Sequence, residues 1–218
     1  MARRGVIFDM DGVLVDSYQP HFRSWQLLAS NHGLQFTEEQ FAESFGKTTR
    51  EMMLHHWSGL VSEDDVPAWD AEKEATYRNL IRANCPVMPG AGELVRDLHK
   101  AGFDLAIGSS GPAENVEAVL GAINFGNLFA ATVNGHDVTK GKPHPDIFLS
   151  AAGKLGLTHE CCVVIEDAPL GIEAAKLAQM PVVAITGTAD RAALSDANMV
   201  VDSLHELSAE VIASLLPA

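Results

Sequence analysis

Five short apolar runs, Val6 to Phe8, Phe103 to Ile107, Cys161 to Ile165, Val182 to Ile185 and Met199 to Val201, are each bounded by polar residues or glycine. Most are separated by helical patterns, GELVRDLHKAG, ENVEAVLGAI, DIFLSAAGKLG and GIEAAKLAQ, with apolar residues at three- and four-residue spacing. Strands that alternate with helices are joined by crossovers and run parallel. The pattern therefore predicts an α/β fold, a Rossmann-like parallel sheet with helices on both faces.

One interval breaks the alternation. From about Ser17 to Met88 the sequence offers only helical stretches: PHFRSWQLLASNHG, TEEQFAESFG, TTREMMLHHW and EDDVPAWDAEKEATYRNLIRAN. The second opens with a capping box from Thr37 to Gln40. The acidic run Glu63 to Asp65 reads as a helix start and nothing more. The interval is expected to be an all-helical domain, 17–88, inserted into a core of 1–16 and 89–218. Its return segment, PVMPG, has the prolines and glycine of a hinge.

The 218 residues allow one good-sized core or a core with a satellite domain. Apolar content is 47%, and no run approaches the roughly 18 residues of a membrane span. Asp9 and Asp11 interrupt the apolar N-terminal run, so no export signal is read and the cytoplasm is the expected compartment. Cys161 and Cys162 are adjacent and Cys85 is distant, which gives neither a disulfide framework nor a metal spacing. A net charge of −14 argues against nucleic acid and anionic membranes as partners. A small anionic substrate would have to be drawn in by local cations.

The stretch GVIFDMDGVLVDS runs the first strand into Asp9, Asp11 and Asp16. Carboxylates two residues apart raise each other's pKa and repel unless a cation or proton lies between them. Ligands of an open parallel sheet bind outside the carboxyl ends of its strands, so the residues after each strand belong together. They are Asp9 and Asp11; Ser109 and Ser110 in GSSG, ahead of a helix; Lys142 in KGKPHPD, expected in an extended segment held by Pro143 and Pro145; and Glu166 with Asp167 in EDAPLG. Acidic oxygens in that number suit Mg²⁺.

DMDGVLVDS, GSSG, KGKPHPDIF and EDAPLGIEAA, in that order, resemble the haloacid dehalogenase superfamily of phosphotransferases, and within it the β-phosphoglucomutase-like branch with an inserted helical cap. The resemblance implies attack on phosphorus by Asp9, giving an aspartyl-phosphate that water hydrolyses, with Asp11 as general acid and then base. It implies Ser109 and Lys142 as holders of the phosphoryl oxygens. Mg²⁺ would be ligated by Asp9, Asp167 and the Asp11 carbonyl, with Glu166 in support. Ser110 and the inserted-domain residues His21, Arg50, Lys73 and Lys47 are candidate substrate contacts. The paired histidines His55 and His56 have no metal spacing and are read as packing or solvated residues.

The mutases of this branch carry a serine and a lysine where this chain has Gly111 and Pro112. The expectation is thus a Mg²⁺-dependent phosphatase of small phosphorylated metabolites, sugar phosphates above all, in a monomeric protein. β-Phosphoglucomutase is the alternative, and a non-catalytic sugar-phosphate-binding protein stands behind both.

Overall fold

The computed structural model of the chain describes residues 3–44 and 48–217. In chain order the first elements are β1 (Arg4–Phe8), α1 (Tyr18–Asn31), α2 (Glu38–Ser44), α3 (Thr49–His56), α4 (Val66–Ala83), α5 (Ala91–Lys100), β2 (Phe103–Gly108) and α6 (Ala113–Ala122). They are followed by β3 (Ala131–Val133), α7 (Asp146–Leu155), β4 (Cys162–Glu166), α8 (Pro169–Leu177), β5 (Val182–Ile185), β6 (Met199–Val201) and α9 (Ala209–Ser214). The chain divides into two compact units, Met1–Asp16 with Cys85–Ala218, and Ser17–Asn84.

The first unit holds a six-stranded parallel sheet in the order β3-β2-β1-β4-β5-β6. The chain builds outward from β1 to β3, then returns beside β1 with β4 and builds outward to β6. The reversal lies between β1 and β4, and the crevice at such a point is where open α/β sheets place their ligands. The five predicted strands are present; β3 is a sixth, at the edge.

Side chains alternate across a strand. Ile7, Ala106, Cys162, Val164 and Ala184 share one face of the sheet, where they pack with Ile147, Phe148 and Ala151 of α7 and Ile172 and Ala175 of α8. Their neighbours Phe8, Leu105, Ile107, Val163 and Ile165 point the other way and are equally buried; α5 packs against β2. Burial on both faces explains why the central strands read as unbroken apolar runs.

The second unit is helical. α1 and α3 pack on α4 around an aromatic core of Phe22, Trp25, Phe36, Phe41 and Trp57. Trp57 lies 5.8 Å from Trp25 and 5.7 Å from Trp69 between ring centroids, both tilted, a geometry aromatic quadrupoles favour. The capping box read from Thr37 and Gln40 forms, with reciprocal bonds of 2.9 and 3.3 Å. A second one, Thr48 with Glu51, opens α3.

The two connecting segments are tied to each other on the sheet side. Asp16 N–H donates to Pro86 O at 2.8 Å, Met88 N–H donates to Leu14 O at 2.9 Å, and Val15 bridges Val87 antiparallel. The return segment PVMPG is therefore hydrogen-bonded to the outgoing one, and the chain re-enters the first unit at Cys85, ahead of it. Among the described residues no helix is long and apolar enough to cross a membrane.

Candidate active site

The β1–β4 ladder continues one step past β1, where Asp9 N–H donates to Ile165 O at 2.9 Å. That bond sets Asp9 beside the end of β4. Asp9, Glu166 and Asp167 each bring a carboxylate oxygen within 4.8 Å of the others, at relative exposures of 7%, 1% and 5%. Buried carboxylates so close must be compensated.

Lys142 supplies part of the compensation. Its Nζ donates to Asp9 Oδ1 and to Glu166 Oε1, each at 2.5 Å. The lysine is not in the extended segment expected from its prolines. Gly141 to Pro145 form turns, His144 N–H donates to Gly141 O at 2.9 Å, and the Lys142–Pro143 peptide is cis. A proline ring cannot fix the isomer of the bond before it, so the sequence left this turn unread.

Both oxygens of Glu166 are engaged. Its Oε2 accepts from the N–H groups of Asp167 and Ala168 at 2.7 and 2.8 Å, while Oε1 receives Lys142. A Cβ on Gly171 would collide with that carboxylate, so glycine in the first turn of α8 makes room for it. Glu166 thus fixes Lys142 and the start of α8 at once.

Without a cation the site favours protons. Burial, then Glu166 and Asp11, push Asp9 up to about 7, although Lys142 pulls the other way. Burial, Glu166 and Asp9 likewise hold Asp167 well above the usual carboxylate range. Burial works against the Lys142 ammonium, yet Asp9 and Glu166 outweigh it and raise its pKa.

The loop after β1 folds back on itself, with Gly12 N–H donating to Val15 O at 2.8 Å and Leu14 N–H to Met10 O at 2.9 Å. This turn carries Asp11, half-buried, close enough to act on Asp9. Thr188, beyond β5, brings its Oγ1 to 2.8 Å from the point where a Cβ on Gly12 would lie. No motif marked that threonine in the sequence.

Ser109 follows β2, whose Ile107 pairs with Phe8 in register, so it stands one strand over from Asp9. It is buried, its N–H donates to Val133 O at 3.0 Å, and its Oγ accepts from Gly111 N–H at 3.1 Å. The hydroxyl proton remains for a ligand. Ser110 is exposed, and its carbonyl lies against Gly135.

The remaining candidates belong to the helical unit. Lys73 is buried, not solvated, with Nζ 2.7 Å from Glu74 Oε1 and 3.1 Å from His21 Nδ1. The His21 ring stacks on Tyr77 at 4.0 Å between centroids. Arg50 makes a two-pronged ion pair with Glu63, so the acidic run is more than a helix start. Thirteen residues separate the partners, and no helical spacing announces them. His56 bonds Ser44 Oγ at 2.6 Å, a packing contact. Lys47 lies outside the described residues.

The cluster fits Mg²⁺. Three buried carboxylates face one lysine, leaving net negative charge on hard oxygen donors. Glu166 already makes three hydrogen bonds and Asp9 one, so Asp9 and Asp167 are the side chains that could hold the ion directly.

A family model for haloacid dehalogenase-like hydrolases matches residues 4–179. The chain belongs to that family. It is 35% identical over 213 residues to hexitol phosphatase A of Escherichia coli, covering 95% of this chain and 94% of that protein. It is 30% identical over 218 residues to β-phosphoglucomutase of Bacillus subtilis, covering 96% and 93%. Among solved structures it resembles β-phosphoglucomutase of Clostridium difficile with a TM-score of 0.82 at 27% identity, over 98% of this chain and 96% of that one. This haloacid dehalogenase-like chain is thus an enzyme with a β-phosphoglucomutase-like fold.

Proposed function

We propose that the chain is a Mg²⁺-dependent phosphatase of small phosphorylated metabolites, sugar phosphates foremost, acting through an aspartyl-phosphate on Asp9. One observation carries the reading: Asp9, Lys142, Glu166 and Asp167 meet, buried, at the reversal of strand order. The similarity to hexitol phosphatase A supports the substrate class.

Asp9 attacks phosphorus through one carboxylate oxygen while Lys142 holds the other, and the ester P–O bond breaks. Asp11 gives its proton to the departing alkoxide. Water then attacks the phosphoryl group, its proton passes to Asp11, and the bond to Asp9 breaks, releasing inorganic phosphate. Ser109 and Lys142 donate to the phosphoryl oxygens as charge develops on them. Mg²⁺, when bound, offsets the negative charge that otherwise keeps one anion from approaching another. Burial of the carboxylates limits access of bulk water to the intermediate.

Hydrolysis is preferred to mutase chemistry because the grip on a second phosphate is weak. Gly111 and Pro112 offer no side-chain donor, and Arg50 is already engaged by Glu63. The Mg²⁺-supplemented protein should release phosphate from a panel of sugar phosphates, and Asp9→Asn should abolish release; unchanged turnover in that variant refutes the covalent route. The mutase reading draws on the His21–Lys73 contact, a pair at expected substrate positions. β-Glucose 1-phosphate with a trace of bisphosphate separates the two: glucose 6-phosphate formed without free phosphate would overturn the preference.

A further inference from the structure

The loop that carries Ser109 is backed by the end of the neighbouring strand. The β2–β3 ladder pairs Gly108 with Val133 and runs one step further, where Ser109 N–H donates to Val133 O at 3.0 Å. Beyond that step Gly135 N–H donates to Gly111 O at 2.9 Å, and Gly111 N–H in turn donates to Ser109 Oγ at 3.1 Å. The peptide group that makes this last bond joins Ser110 to Gly111, and Gly135 lies against its carbonyl end: a Cβ on Gly135 would come within 2.3 Å of Ser110 O and 3.2 Å of Ser110 C. Gly135 is itself held in place. It opens a single turn of 3₁₀ helix, Gly135–Asp137, in which Asn134 Oδ1 accepts from His136 N–H at 2.9 Å and Asp137 Oδ2 accepts from Asn134 N–H and Nδ2 at 3.1 and 2.9 Å. Lys154 of α7 fastens that turn to the sheet, with Nζ 3.1 Å from Asp137 Oδ2 and 2.8 Å from Thr132 O.

We propose that Gly135 is the positioning residue for Ser109: its backbone packs on the Ser110–Gly111 peptide and sets the bond that aims the Ser109 hydroxyl at the phosphoryl oxygens. The inference rests on the phosphatase reading above, in which Ser109 holds those oxygens. Planarity of the peptide group carries the argument. Ser110 C=O and Gly111 N–H are two ends of one rigid unit, so a push on the oxygen turns the N–H as well. A serine hydroxyl has one proton to give and two lone pairs. With Gly111 N–H directed into a lone pair, the proton is kept out of that bond and left for a ligand. With that N–H rotated away, the hydroxyl turns freely and Ser109 loses its aim. Only a residue without a Cβ lets the two backbones approach so closely.

The test is a double-mutant cycle on kcat/KM for phosphate release by the full chain at saturating Mg²⁺, with a sugar phosphate from the panel. Gly135→Ala keeps the N–H donated to Gly111 but drives a methyl group at Ser110 O; kcat/KM should fall about 10- to 100-fold, and Ser109→Ala should cost at least as much. Combined, the two should fall no more than about twofold below Ser109→Ala, because a hydroxyl already absent cannot lose its aim. The inhibition constant of inorganic phosphate should likewise rise about threefold or more on Gly135→Ala in the parent and stay within about twofold in the Ser109→Ala background. Losses that multiply in the double variant overturn the inference, since Gly135 would then act on the fold alone, and so does a Gly135→Ala variant with the parent's kcat/KM. Should Gly135→Ala fail to fold, Asp137→Ala loosens the turn without adding an atom against Ser110. The same cycle then has an expected loss of about threefold or more, and multiplying losses or no loss overturn the inference as before. In all these outcomes the phosphatase reading stands. Ser109→Ala as active as the parent overturns the inference together with the phosphoryl-holding role of Ser109, and a parent chain that releases no phosphate from the panel overturns it together with the phosphatase reading.

Discussion

Gly12 stands so close to Asp167 that a Cβ on the first would overlap the carboxylate of the second. The same glycine has φ 76°, a left-handed conformation that side-chain-bearing residues adopt at a cost of about 1–2 kcal/mol. Gly12→Ala therefore faces two penalties, one in the backbone and one in the site. The expected result is a stability loss of at least about 1 kcal/mol in urea unfolding, with kcat/KM for phosphate release down about 100-fold as Asp167 is displaced. Activity within a fewfold of the parent would show that the loop relaxes at no cost to the site.

Glu166 links a backbone turn to the Lys142 ammonium, and the two contacts separate by substitution. Glu166→Gln keeps an oxygen for the N–H groups of Asp167 and Ala168 but removes the charge from the Lys142 contact. Glu166→Ala leaves those two donors and the lysine without their partner, and unsatisfied buried groups cost about 1–3 kcal/mol each. The glutamine variant should fold normally with kcat lowered about tenfold, whereas the alanine variant should also melt earlier. Identical melting curves for the two would mean that the backbone bonds contribute nothing measurable.

Much of this architecture is written in the chain, and the parts that are not have physical reasons. The inner strands β1, β2, β4 and β5 betray themselves because burial on both faces demands unbroken apolar runs. β3, Ala131–Val133, and β6, Met199–Val201, are each three residues long at a sheet edge with two residues only partly buried; β6 is legible because all three of its residues are apolar, whereas Thr132 interrupts β3. Asp9, Asp11, Ser109, Lys142, Glu166 and Asp167 were legible because each directly follows a strand or precedes a helix in a recognisable stretch. The approach of Thr188 to Gly12 was not, since no recognisable stretch marks the loop after β5. The Arg50–Glu63 pair and the burial of Lys73 are set by how helices pack, and a charge in a sequence does not state its exposure.

Glu63 should act as a competitor for any anion that seeks Arg50. Both side chains are more than half exposed, at 56% and 59%, and contacts of that kind are weakened by solvent and salt. Replacing Glu63 by Gln removes the competitor while leaving the arginine in place. The expected outcome is modest: KM for a sugar bisphosphate falls about two- to threefold and that for a monophosphate stays unchanged, both measured at low ionic strength. A parallel fall for both substrates would mean that Glu63 acts through overall charge and not through Arg50.

The strand-end carboxylates make the stability of the metal-free chain depend on pH in an unusual direction. Asp9 is raised from an ordinary 3.8 to about 7 in the folded state, and Asp167 is raised as well. Between those values the folded chain binds more protons than the unfolded one, so stability falls as pH rises. This is the reverse of the usual carboxylate that is paired and depressed on folding. The contribution is full below about pH 4 and is lost as pH climbs through 7. Mg²⁺ takes the place of those protons, and its stabilising effect must grow as they leave. Thermal unfolding with chelator and with excess Mg²⁺ should therefore show a larger rise in Tm at pH 8 than at pH 5.5. Each kcal/mol of that difference is worth roughly 2–4 °C for a chain of this size. Asp9→Asn, which removes one of the two raised carboxyl groups without adding bulk, should weaken the pH dependence in chelator and shrink the Mg²⁺ effect at pH 8. A Mg²⁺ shift that is equal at both pH values would mean that the ion does not replace protons at the end of β1, and the electrostatic account of the site would fail.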